Sequence, residues 1–293
     1  MSFSLFLVIC SGLAHAVWNL FTKSSSDKAI FLWCIFMPST ILLLPVLAGE
    51  MSRADLSPAV LGMLVCSAAL QAFYAWLLSH TYRRGDLSQV YPVMRGTPTL
   101  LIPLAGVFFM GERLTLWGWL GIVLMLAGFA VMGKGSRHSD AARGPETSGT
   151  SSIWTHPVVM ALGVGLTITC YTLMDKWNLQ HLSPVALLEV TNIGFVLGLT
   201  PAVVRQGRQM KRILASGWGR ILPGAILSPG SYLLFLFAIR EAEVAPLAPL
   251  REIGIVFGTV LGLALLKESF PARRLTASAI VLSGILLIAF LGS

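Results

Sequence analysis

The sequence predicts an all-α membrane protein of ten transmembrane helices, arranged as two inverted five-helix repeats around a central cavity. Three observations predict it. The 293 residues are 55% hydrophobic and 12% charged, with a mean hydropathy of +0.78, far too apolar for a soluble globule. Ten apolar runs follow one another, each of the length that a ~30 Å hydrocarbon core requires of a helix. Residues also recur at a fixed spacing: Arg84 and Arg240, Arg95 and Arg251, Glu112 and Glu268, Gly128 and Gly284 are each 156 apart. An odd number of spans per repeat starts the second copy on the opposite side of the bilayer, so the halves must be inverted.

The first repeat, 1–133, holds apolar runs at 3–22, 29–48, 58–79, 87–109 and 116–133. The N-terminal run lacks a basic n-region and a small-residue cleavage site, and it continues through polar Asn19. It reads as a first span, not a signal peptide. The stretch 134–155 is rich in Gly, Ser and charge and reads as a flexible linker. The second repeat, 156–293, holds runs at 157–175, 184–204, 219–239, 244–266 and 273–291. Gly12, Trp18 and Lys23 align with Gly165, Tyr171 and Lys176 at an offset of 153, so each half opens with an apolar helix ending in lysine. Lys23 and Lys176 are expected to snorkel to the interface. Glu112 and Glu268, at span ends, are expected in terminal ion pairs. Gly254, Gly258 and Gly262 recur every four residues and are expected to permit close helix packing inside the bundle.

A net charge of +8 raises nucleic acid as a partner, but the Lys and Arg sit in short loops between apolar runs and not on one face of a soluble domain. Cys10, Cys34, Cys66 and Cys170 all lie in apolar runs without metal-ligand spacing, and no pattern calls for a metal or other cofactor. There is no HExxH, no GxSxG and no pair of intramembrane aspartates, since Asp175 stands alone near a span end. A membrane-embedded enzyme is therefore disfavoured. Loop charges speak to orientation. Fifteen Lys and Arg fall in the loops on one side and four in those on the other, on the side of both termini, and the positive-inside rule then places both termini outside the cytoplasm.

Two arginines carry the functional reading. Arg95 lies in SQVYPVMRGTPTLLIPLAGVFFMGE, 88–112, and Arg251 in PLAPLREIGIVFGTVLGLALLKE, 246–268, both interrupted by proline. A guanidinium cannot shed its proton and is costly to desolvate, so each is expected to face protein or a cavity and to meet an anion there. Polar stripes are expected to line that cavity, because lipid offers no hydrogen bonds. They are Ser11, His15, Trp18, Asn19 and Thr22 on the first span, Ser67, Gln71 and Tyr74 on the third, and Thr167, Tyr171 and Asp175 on the sixth. Ser228, Ser231 and Tyr232 make another on the eighth. Glu189, three residues before Asn192, is either a proton-coupling carboxylate or the counter-ion of an arginine. Glu252 follows Arg251 directly, some 100° around a helix, so Arg251 is expected on the cavity with Glu252 turned to a neighbouring helix. The candidate substrate residues are Arg95, Arg251, Tyr91, His15, Trp18, Asn19, Tyr74, Tyr171 and Tyr232. Glu189 and Glu252, with His15, are the candidates for proton coupling.

Ten spans in two halves, each with a lysine closing its first span, together with YPVMRGTP at 91–98, GERL at 111–114, APLREIGI at 248–255 and KESF at 267–270, resemble the drug/metabolite transporter superfamily, EamA-type branch. The resemblance covers nearly the whole chain, with Lys267 standing where the first half has Gly111. It implies inverted repeats, alternating access, and a central cavity lined by spans one, three, four, six, eight and nine. It also implies cytoplasmic termini, against the loop charges. The expected function is a secondary transporter of the inner membrane for a small anionic or zwitterionic metabolite of amino acid, carboxylate or phosphonate type, with protons as the candidate coupling ion. A flippase for a lipid-linked anionic head group is the alternative within membrane transport. Monomer and homodimer both stay open.

Overall fold

The computed structural model describes residues 2–54, 56–84, 87–133, 156–266 and 272–292. The linker and Glu268 lie outside these residues. The helices, in order, are α1 (Ser2–Lys23), α2 (Lys28–Met51), α3 (Pro58–Arg84), α4 (Leu87–Met110), α5 (Leu116–Gly133), α6 (Pro157–Asn178), α7 (Pro184–Val204), α8 (Gly207–Glu241), α9 (Val244–Leu250), α10 (Ile253–Leu266) and α11 (Ala272–Leu291). Among the described residues, nine segments are long and apolar enough to cross a membrane, with α9 and α10 supplying one between them. The shorter apolar helix Leu275–Leu291 is the tenth crossing. Large apolar side chains such as Phe109, Phe108 and Phe290 stand exposed on the outside, as a surface solvated by lipid requires.

The packing obeys a pseudo-two-fold axis. Exchanging α1 with α6, α2 with α7, α3 with α8, α4 with α9/α10 and α5 with α11 turns the contact of α1 with α8 into that of α6 with α3. It likewise turns α3 on α7 into α8 on α2, and α4 on α6 into α10 on α1. The contacts α2 on α7 and α5 on α11 map onto themselves and form seams between the halves. Single residues follow. A methyl on Gly121 would lie 2.7 Å from the carbonyl oxygen of Gly284, and one on Gly128 would lie 3.0 Å from that of Ala277. Adding 156 to 121 gives 277 and to 128 gives 284, so the two contacts are images of one another. Gly254 of the glycine triplet packs on the backbone of Gly12 in α1, whereas Gly258 has open space around it.

Charged span ends are spent on helix termini. Lys176 does not snorkel: its Nζ donates to the carbonyls of Ile239 (2.5 Å) and Ala242 (2.8 Å), capping the C-terminus of α8. Glu112 accepts from the backbone N–H of Val244 (2.9 Å) and Ala245 (2.7 Å), so it caps the start of α9, and among the described residues it makes no ion pair. Gly111, with φ of 68°, provides the left-handed turn that brings the chain out of α4 to present Glu112. Glu50 likewise holds the N–H and hydroxyl of Ser183, the N-cap of α7. Glu112→Ala is expected to cost about 1–2 kcal/mol, the range for losing a helix cap, read as a lower thermal midpoint in detergent.

The two arginine-bearing helices differ. α4 runs unbroken from Leu87 to Met110 despite Pro92, Pro98 and Pro103, with Thr97 and Thr99 hydroxyls bonding the carbonyls of Val93 (2.8 Å) and Arg95 (2.7 Å) one turn back. Its counterpart breaks. After Pro249 the backbone tightens, with Glu252 N–H on Pro249 carbonyl, Gly254 on Arg251 and Ile255 on Glu252, all spaced by three. Arg251 and Glu252 sit in that break.

Candidate functional site

A partly open cavity lies where the halves meet. Its wall comprises His15 and Trp18 of α1, Phe36 of α2, Gln71 and Tyr74 of α3, Arg95, Pro98, Thr99 and Ile102 of α4, and Ile168, Tyr171 and Thr172 of α6. Thr191, Asn192 and Phe195 of α7, Ser228, Ser231, Tyr232 and Phe235 of α8, and Ala248, Arg251 and Glu252 complete it. Arg95 stands eight residues into α4 and Arg251 seven into the span opened by Val244. Each is thus roughly 10–12 Å deep by helical rise, from opposite faces. The walls of spans two and seven are additions to the set that the family resemblance implied.

The two guanidinium groups are in different states. Arg95 is engaged: one terminal nitrogen donates to His15 Nε2 at 2.6 Å, another reaches Glu252 Oε1 at 3.4 Å, and the group lies 5.5 Å from the Tyr91 ring centre. Because a guanidinium only donates, His15 Nε2 must accept, and the imidazole proton sits on Nδ1. That Nδ1 is buried without a hydrogen-bond partner, and Trp18 meets the ring edge-on at 4.9 Å. Arg251 is held by aromatic faces instead. Its guanidinium carbon is 4.6 Å from the Phe235 ring centre and 5.1 Å from that of Tyr232, and among the described residues it has no carboxylate partner. Its Nε is buried and unbonded.

Tyrosines extend the aromatic surface, with Tyr74 edge-on to Tyr171 (5.5 Å) and Tyr171 edge-on to Tyr232 (6.1 Å). Beneath them lies a residue the sequence reading set aside. Asp175 is fully buried and accepts from Ser67 Oγ (2.5 Å) and Tyr232 OH (2.6 Å), joining α3, α6 and α8 under the wall. Its signal was the Thr167, Tyr171, Asp175 stripe, whose last member only looked terminal. Ser11 and Trp18 tie α1 to α8 through Ser231 (2.6 Å to its carbonyl, 3.3 Å to its hydroxyl).

Of the candidates, Arg95, Arg251, His15, Trp18, Tyr74, Tyr171, Tyr232 and Glu252 meet on the wall. Asn19, Tyr91 and Glu189 are not among its described members. Two expectations need correction. Glu252 does reach a neighbouring helix, at Arg95 of α4, but it does so across the cavity, whose wall it shares with Arg251. Glu189 is not an arginine's counter-ion: Arg95 takes Glu252, and Glu189 is left with both oxygens unbonded.

Ten crossings in inverted halves around a polar cavity at depth define a multi-pass membrane transporter. The chain belongs to the EamA-like transporter family, which matches residues 2–133 and 156–290. This places it in the drug/metabolite transporter superfamily and in the bacterial inner membrane. It is 38% identical over 73 residues to the spermidine export protein MdtI of Shigella flexneri, a match that covers 25% of this chain and 65% of that protein. It is 37% identical, over the same length and shares, to the MdtI of Escherichia coli K12 / DH10B. The chain thus spans just under two thirds of the length of these relatives. A solved crystal structure shares the fold at a TM-score of 0.66 and 16% identity, over 98% of this chain and 95% of the other.

Proposed function

We propose that the protein moves a small anionic or zwitterionic metabolite through this cavity by alternating access, the solute's anionic group seated on Arg251. The observation that carries the reading is the unequal state of the two arginines. On the wall, two guanidinium groups face one carboxylate, Glu252, and Arg95 has claimed it. Arg251 is left stacked, oriented and short of an anion. A carboxylate or phosphonate completes it with charge-assisted, bidentate hydrogen bonds. His15 Nδ1 offers a further unspent donor.

The MdtI relatives are named for export of spermidine, a polycation, which would need free carboxylates on the wall. Uptake into vesicles reconstituted with the purified protein separates the two: a panel of amino acids, organic acids and phosphonates, with spermidine as the cationic member. Transport of an anionic or zwitterionic member, lost in Arg251→Ala, supports the reading; transport of spermidine alone overturns it.

The side on which the termini lie is checked independently. A reporter active only outside the cytoplasm, fused after Ser293, is expected to be active, following the loop charges; an inactive fusion that is expressed and inserted puts the termini inside.

A further inference from the structure

Glu189 is the one carboxylate at membrane depth in the described structure with no cation beside it and no hydrogen bond of proper length and angle, the Asn192 side chain being the polar group next to it. It is 0% exposed, and both of its oxygens lack a hydrogen bond. Three residues on, and on the same face of α7, Asn192 donates its amide to Ser39 Oγ at 3.4 Å, while its Oδ1 is buried without a partner. Three orphaned atoms therefore lie on adjacent turns, and all three are acceptors. No charged side chain among the described residues faces them. On α2, Ser39 is the neighbour and Glu50 is spent on Ser183. On α3, the titratable group on this side is Tyr74, against Phe195. On α8, Tyr232 is committed to Asp175.

A bare carboxylate is not sustained in such surroundings, whereas a protonated one resolves them: its O–H donates to Asn192 Oδ1, satisfying an oxygen on each residue. We propose that Glu189 carries a proton in this conformation and that Glu189 with Asn192 is the coupling site of the transporter. Asn192 lies on the cavity wall and on the α2–α7 seam between the halves. When that seam opens, water reaches the acid. The O–H bond breaks, the electron pair stays on the carboxylate, and the proton passes to water in the cavity. Closing the seam requires the proton to return, which ties the change of conformation to proton movement.

The coupling role rests on the transport reading above, but its test uses no solute, so either can fail alone. Infrared spectra of the protein in lipid vesicles at neutral pH are recorded for wild type, Glu189→Gln and Asn192→Leu. The wild type is expected to show the carbonyl stretch of a protonated carboxylic acid in a dry setting. Glu189→Gln loses that band. Asn192→Leu keeps it but moves it to higher wavenumber, as the O–H loses its acceptor, and this variant also reads the site should Glu189→Gln not fold. A Glu189→Gln spectrum with every protonated-carboxyl band retained, or an Asn192→Leu band unmoved, overturns the assignment.

Discussion

Arg251→Ala is expected to weaken binding of the transported anion by roughly ten- to a hundredfold, since hydrogen bonds to charged groups contribute about 1.5–3 kcal/mol. The protein should remain folded, because among the described residues Arg251 holds no ion pair whose loss would strand a charge. Arg251→Lys is expected to fall between: it keeps the charge but loses the planar fork and the stacking on Phe235 and Tyr232. Arg95→Ala gives a different result. It strands Glu252 in the cavity, so both stability and binding fall, and adding Glu252→Ala should restore much of the stability but not the binding. Equilibrium binding and thermal melts on these variants separate the seat of the solute from the pair beside it.

Gly194→Ala is expected to destabilise the protein by about 1–3 kcal/mol or more, the range for overpacking a close contact. A methyl at Gly194 would run into the carbonyl oxygen of Ala68, and one at Gly198 into that of Ala72, so α3 and α7 touch backbone to backbone over two turns. Backbone cannot rotate aside as a side chain does. The helices must separate, and they carry Gln71, Tyr74, Asn192 and Phe195 of the wall with them. Gly62→Ala, also inside a helix but with open space around it, should not lower the thermal midpoint. Equal melts for the two variants would mean that α3 and α7 are not so closely apposed.

The layout was readable because it is written in periodic signals. Apolar runs of bilayer length and a spacing of 156 are properties of the chain taken alone, and the images of Gly121 and Gly128 across the α5–α11 seam are that same spacing in space. Which charge meets which was not readable. The carboxylate that each arginine meets was open on sequence, and only the tertiary fold decides that Arg95 reaches Glu252 and leaves Glu189 alone. The break at Arg251 and Glu252 was missed for a local reason: three prolines leave α4 whole, while Pro249 and the bonds that follow it divide α9 from α10. Lys176 looked like an interfacial lysine because the carbonyls it caps belong to a helix more than sixty residues away in the chain. Asp175 looked terminal because helix length, not hydropathy, sets its depth: α6 continues to Asn178.

The central claim is that Arg251 seats an anion. The most direct measurement is thermal stabilisation by matched solutes of one carbon skeleton bearing a carboxylate, a carboxamide or an ammonium group, since a ligand that prefers the folded protein raises its midpoint. The carboxylate member alone should stabilise the wild type, and its effect should vanish in Arg251→Ala. Stabilisation by the ammonium member, undiminished in Arg251→Ala, would contradict it.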